Sequence, residues 1–107
     1  MKYRHLLSAL ALLPILSFAS DIEVAMTIKE HRFTPSEVRV PAGKKIKLVI
    51  HNQDNSAEEF ESHELNREKI IPGNAKLPVF IGPLSPGKYP FFGEFHMDTA
   101  RGVIIAE

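Results

Sequence analysis

A chain of 107 residues with 13 basic and 13 acidic side chains, net charge zero at pH 7 with His neutral, has room for one domain and no basic field for nucleic acid. It contains no Cys, so neither a disulfide nor a thiolate metal site can be built.

The chain opens with Lys2 and Arg4 ahead of the apolar run LLSALALLPILSF. Small residues at Ser17 and Ala19 then predict a secretory signal peptide over residues 1–19, cut after Ala19. Pro14 interrupts the run, which is short for a membrane anchor. The domain is then residues 20–107, with eleven basic against thirteen acidic side chains once Lys2 and Arg4 are gone, a net charge of −2. Export places this domain in the periplasm, to be held together by its core alone.

The remainder reads as short strands between turn residues. IEVAMTI alternates, with Ile22, Val24, Met26 and Ile28 on one face. SEVRVPAGKKIKLVIHN predicts a strand through Val38 and Val40, a turn at Pro41-Ala42-Gly43, and a strand that points Ile46, Leu48 and Ile50 inward. EEFES is a further short strand, and the polar stretch from His63 to Lys69 has room for one helical turn. KLPVFIGPL and GKYPFFGEF follow, divided by a turn at Pro86-Gly87 that suits type II, and GVIIAE closes the chain. Pro78 and Pro90 within these runs predict edge positions or bulges. Six or seven such strands with almost no helical periodicity predict an all-β sandwich or barrel.

Two clusters carry donor atoms. Asp54, Glu58, Glu59, Glu61, Glu64 and Glu68 share a stretch with one base, Arg67. A solvated acidic loop is the ordinary use of such a run. In an extended segment Glu59 and Glu61 face away from Glu58 and Phe60, so both sets reach one site only across a bulge. The second cluster is Glu94, His96 and Met97, between two strands, where carboxylate and imidazole suit iron, Cu(II) or zinc and a thioether suits Cu(I). His31, His51 and His63 are each more often structural than ligating, although the acids near His63 favour it. No nucleophile triad and no phosphate loop is recognisable, and a substrate cleft for a paired-carboxylate hydrolase has little room.

FTPSEVRVPAGKKIKLVIHNQD, SAEEFES, IPG and LSPGKYPFFGEFHMDTARGVIIAE together resemble the cupredoxin scaffold, and more narrowly its EfeO-type cupredoxin-like branch. The resemblance implies a Greek-key β-sandwich over nearly all of the domain. It places the first histidine ligand of the copper proteins, six residues after Asn52, on Glu58, and the glutamate of the EfeO-type branch on Glu59. The copper-binding cysteine falls on Gly93 and the later histidine on His96, while Met97 does not match the axial methionine. A blue copper centre is thereby excluded, since its colour and fast electron transfer come from the copper–thiolate bond.

What the resemblance implies instead is a mononuclear copper or iron site without cysteine, built from Glu58 or Glu59 with His96 and joined by Glu94, Glu61, His63 or Met97. The implied setting is periplasmic iron uptake alongside an inner-membrane permease and periplasmic partner proteins. A metal-free module that docks a partner through its acidic loop is the alternative. One mononuclear site has poor means of passing electrons onward, so the chain is not expected to be an enzyme by itself.

Overall fold

The computed structural model describes residues 22–107; the leader assigned to residues 1–19 lies outside them. Among the described residues nine strands run in the order β1 (Ile22–Lys29), β2 (Arg32–Thr34), β3 (Glu37–Val40), β4 (Ile46–Asn52), β5 (Glu58–Ser62), β6 (Arg67–Ile71), β7 (Lys76–Ile81), β8 (Gly87–Gly93) and β9 (Arg101–Ala106), with a 3-10 turn at Glu94–His96. No helix among the described residues is long and apolar enough to cross a membrane.

The strands form two sheets, β2-β1-β4-β7 and β3-β9-β8-β5-β6. The pairs β1–β4 and β3–β9 are parallel and the remainder antiparallel, so both sheets are mixed. The period-two pattern explains the packing. Met26 and Ile28, Val38 and Val40, Ile46, Leu48 and Ile50, and Phe60 all turn into one core between the sheets. Phe33 stands edge-on to Phe60 and Phe91, at 6.1 and 5.0 Å between ring centroids, which ties edge strand β2 of one sheet to β5 and β8 of the other.

Three local expectations change. The stretch read as polar with a helical turn is a hairpin, because Arg67–Ile71 pairs with β5 from Ser62↔Arg67 to Glu58↔Ile71. Ser62 closes its loop by donating to the Pro90 carbonyl at 2.6 Å and accepting the Leu65 N–H at 3.1 Å. The positive φ expected at Gly87 for a type II turn falls instead on Gly82, at 89°, so the reversal occurs earlier and Gly87 already belongs to β8. Pro78 lies on edge strand β7 as expected, but Pro90 is in β8, inside its sheet. Pro90 is tolerated there because the β5–β8 pairing covers only Phe60↔Gly93 and Glu61↔Phe92.

Strand directions decide where function can sit. The ends of β1, β4 and β8 and the starts of β5 and β9 all meet at one end of the sandwich. Asn52, fully buried where β4 ends, organises that end. Its amide donates to the carbonyls of Ser56, Ile71 and Pro72 at 2.9, 3.0 and 3.3 Å, and its Oδ1 accepts the Asp54 N–H at 3.0 Å. One side chain thus fixes the loop that delivers both Asp54 and Glu58.

Candidate metal centre

Glu58 opens β5 facing inward, 1% exposed, because alternation assigns it to the side of Phe60 and Ser62. A buried carboxylate is costly unless its oxygens are satisfied, and here they are. Oε1 accepts the N–H groups of Phe95 at 2.8 Å and Glu59 at 3.0 Å, and Oε2 lies 2.7 Å from His96 Nδ1. The inner nitrogen of His96 is therefore engaged by Glu58.

Gly93 explains how a glutamate fits at this depth. A Cβ on Gly93 would stand 2.5 Å from Glu58 Cδ and 2.7 Å from both Glu58 Oε2 and Ala100 Cβ. The carboxylate occupies the space that any side chain at position 93 would need. Glycine at 93 and glutamate at 58 are thus one steric arrangement.

His31, expected from the sequence to be structural, stands beside this pair. It sits in the two-residue turn between β1 and β2, where Glu30 and His31 have φ of 54° and 58°, the pattern of a type I′ hairpin. Its ring stacks on His96, centroids 3.5 Å apart and planes within 10°. Asp54 clamps the turn by accepting the N–H groups of Glu30 at 2.8 Å and His31 at 3.0 Å, and its Oδ2 is 3.4 Å from His31 Nδ1. Thr99 donates its hydroxyl to the His31 carbonyl at 2.7 Å. Partial burial alone would raise the Asp54 pKa, but the backbone donors of His31 and Glu30 and the nearby imidazoles of His31 and His96 hold it below the usual carboxylate value. Donor atoms of His31, Glu58 and His96 all lie within 4.8 Å of one another.

The other candidates assemble elsewhere. Glu59, Glu61 and Glu94 form a second group within the same 4.8 Å limit, with Glu59 and Glu61 on the outer face of β5, as alternation predicts. Glu61 stands directly opposite Glu68 across the β5–β6 ladder. Desolvation raises the pKa of Glu59, aided by Glu68, Glu61 and Glu94, and that of Glu61, aided by Glu94 and Glu68. His63 approaches Glu61 to 3.7 Å with an exposed side chain. Met97 is 42% exposed, and its carbonyl accepts the Arg101 Nε–H at 2.7 Å. His51 lies within β4, opposite Thr27 and Lys76, away from these groups.

The model of the cupredoxin-like domain matches residues 5–106. The chain belongs to this family. An uncharacterized protein of Rickettsia prowazekii (strain Madrid E), RP394, is 54% identical over 84 residues, covering 78% of this chain and 67% of that protein. Among solved structures, auracyanin A, a blue copper protein from Chloroflexus aurantiacus, superposes with TM-score 0.71 at 13% identity over 82% of this chain and all of its own. The metal-binding domain of the Cu(I)-exporting P-type ATPase of Streptococcus pneumoniae D39, with Cu(I), gives TM-score 0.71 at 15% identity over 85% and 91% of the two chains. At such identities these neighbours establish the cupredoxin-like sandwich and leave the chemistry to this chain's own residues.

At 2.7 Å the Glu58–His96 contact is a hydrogen bond with a proton between the two groups, so the pair must part before both can face one ion. A buried carboxylate and an imidazole are donors of the kind that suit iron, Cu(II) or zinc.

Proposed function

We propose that this cupredoxin-like domain binds copper or iron at Glu58 and His96, and that it does so after export to the periplasm, as a component of an iron uptake system. The observation that carries the reading is the 2.7 Å contact between a buried carboxylate and an imidazole at the loop end of a cupredoxin-like sandwich. A bound ion would supply Lewis acidity and, for copper or iron, a redox couple. The chain's own residues bind and shield it: Glu58 and His96 offer the donors, the Phe95 and Glu59 N–H groups orient the carboxylate, and Asn52 fixes the loop before it. Glu59 is excluded from this pair by facing the other side of β5. An inner-membrane permease and periplasmic partner proteins are the partners such a role requires, and no catalytic step is assigned to the domain itself.

One observation favours the alternative, a metal-free module that docks a partner through its acidic surface. Glu61 and Glu68 face each other on the outside of the sheet, which is unfavourable in isolation and relieved by a cationic partner. Titration of the purified protein with Cu(II), Fe(II), Mn(II) and Zn(II), read by calorimetry and by metal content after desalting, separates the two readings. Tight one-to-one binding of copper or iron, lost in His96→Ala and Glu58→Gln and kept in Glu59→Ala, supports the metal site. Absence of binding above that of a variant neutralised at Glu59, Glu61 and Glu94 turns the reading to docking.

A further inference from the structure

We infer that His31 is a second imidazole ligand of this centre, and that it reaches the ion only by turning out of its stack on His96. The inference rests on the metal-binding reading above and deepens it. Its starting point is the β1–β2 turn. Two-residue turns with both φ positive are usually made by Asn-Gly or Asp-Gly, because a larger side chain in the left-handed region costs about 1 kcal/mol or more. Here the positions are Glu30 and His31, at 54° and 58°. Asp54 and Thr99 spend three hydrogen bonds holding that backbone. The result of this strain is one imidazole laid flat against another.

The stacked pair cannot share an ion as it stands. An imidazole nitrogen binds through a lone pair in the plane of its ring. Two planes within 10° of parallel at 3.5 Å have no common point near both rings, so one ion cannot lie in both. One ring must turn, and the contacts decide which. His96 is held at 2.7 Å by a buried carboxylate and its side chain is 28% exposed. The His31 side chain is 42% exposed, and its nearest charged partner, Asp54 Oδ2, is at 3.4 Å, beyond ordinary hydrogen-bond length. Its backbone is fixed while its ring is loosely held, so rotation about the side-chain torsions brings a nitrogen to the ion without moving the turn. Asp54 is then a positioning residue for the turn, and His31 the ligand that closes over Glu58 and His96.

The test uses the purified protein and Cu(II). His31→Phe keeps an aromatic ring over His96 and removes the nitrogen, which separates ligation from stacking. Pulsed electron paramagnetic resonance counts coordinated imidazoles, and calorimetry gives affinity. Wild type is expected to show two imidazoles, His31→Phe one, with affinity reduced about tenfold or more. One imidazole in the wild type, or wild-type affinity in His31→Phe while His96→Ala abolishes binding, overturns this inference and leaves the Glu58–His96 site standing. No Cu(II) binding by the wild type overturns it, and copper as the ion of that site, together.

Discussion

If Glu58 and Gly93 are one steric arrangement, substituting both should cost less than the two single changes would suggest. Glu58→Ala removes the 2.7 Å contact to His96 and leaves the Phe95 and Glu59 N–H groups without their acceptor. Hydrogen bonds to a charged group contribute roughly 1.5–3 kcal/mol each, and water entering the space recovers part, so a loss of about 3 kcal/mol is expected. Gly93→Ala drives a methyl group to within 2.5 Å of the Glu58 carboxyl carbon and 2.7 Å of Ala100 Cβ. Overpacking of this kind costs about 2 kcal/mol, and pushing the carboxylate off its donors adds to it. In the double variant the collision with Glu58 is gone and only that with Ala100 remains, so the pair should cost about 1–2 kcal/mol less than independent effects would give. The chain has no Trp, so urea unfolding followed by far-ultraviolet circular dichroism is the suitable assay. For a domain of this size each kcal/mol corresponds to about 4–8 °C in Tm, which makes the coupling measurable by heat as well. Additivity within about 0.5 kcal/mol would refute the claim that the carboxylate fills the volume over Gly93.

Two further perturbations address the surroundings of the site. Asp54→Ala removes the acceptor for the Glu30 and His31 N–H groups and should cost about 2 kcal/mol, with amide exchange in the β1–β2 turn accelerating more than in β4; uniform acceleration would contradict its role as a local clamp. Because Asp54 has a lowered pKa in the fold, its contribution is present above the ordinary carboxylate range and is lost as pH falls through its folded value. Glu59 and Glu61 have raised values and act with the opposite sign, opposing folding at neutral pH and ceasing to do so once protonated. Glu61→Gln should therefore raise Tm at pH 7 and leave it unchanged at pH 3, and equal Tm values at pH 7 would show that Glu68 and Glu94 do not press on it.

The sandwich was legible because its strands are half-buried: Ile46, Leu48 and Ile50 alternate with Lys45, Lys47 and His51, and period two assigns each to a face. The same rule puts Glu58 on one face of β5 and Glu59 and Glu61 on the other. It failed between His63 and Lys69, where β6 is exposed at Arg67, Glu68, Lys69 and Ile70 and so carries no apolar alternation to read. The β1–β2 turn failed for a different reason. Glu-His carries none of the Asn-Gly chemistry that marks a type I′ hairpin, and the groups that sustain it, Asp54 and Thr99, come from 23 and 68 residues away from His31. The approach of His31 to His96 was therefore invisible in a chain read locally.

The burial of a carboxylate against His96 also bears on how tightly an ion can be held. In the fold as it stands, Glu58 already joins the start of β5 to the turn after β8 through Phe95 and His96, the connection that an ion between those segments would make. These contacts tie the two segments together without an ion. An ion entering between Glu58 and His96 must first break their contact, and a hydrogen bond to a charged group of this kind opposes it by roughly 1.5–3 kcal/mol, about 10- to 150-fold in affinity. A cofactor meant to stay gains nothing from such a competitor, whereas cargo meant to be passed on does, because the site recloses on itself when the ion leaves. On this argument the Glu58–His96 contact favours exchangeable binding, which is the behaviour that delivery to a transporter demands. Stopped-flow transfer of Cu(II) from the wild type to a chelator should therefore go to completion and leave a folded protein with an unchanged circular dichroism spectrum. A wild type that unfolds when its metal is withdrawn would show that the carboxylate does not replace the ion as a tie, and the argument for cargo would fall with it.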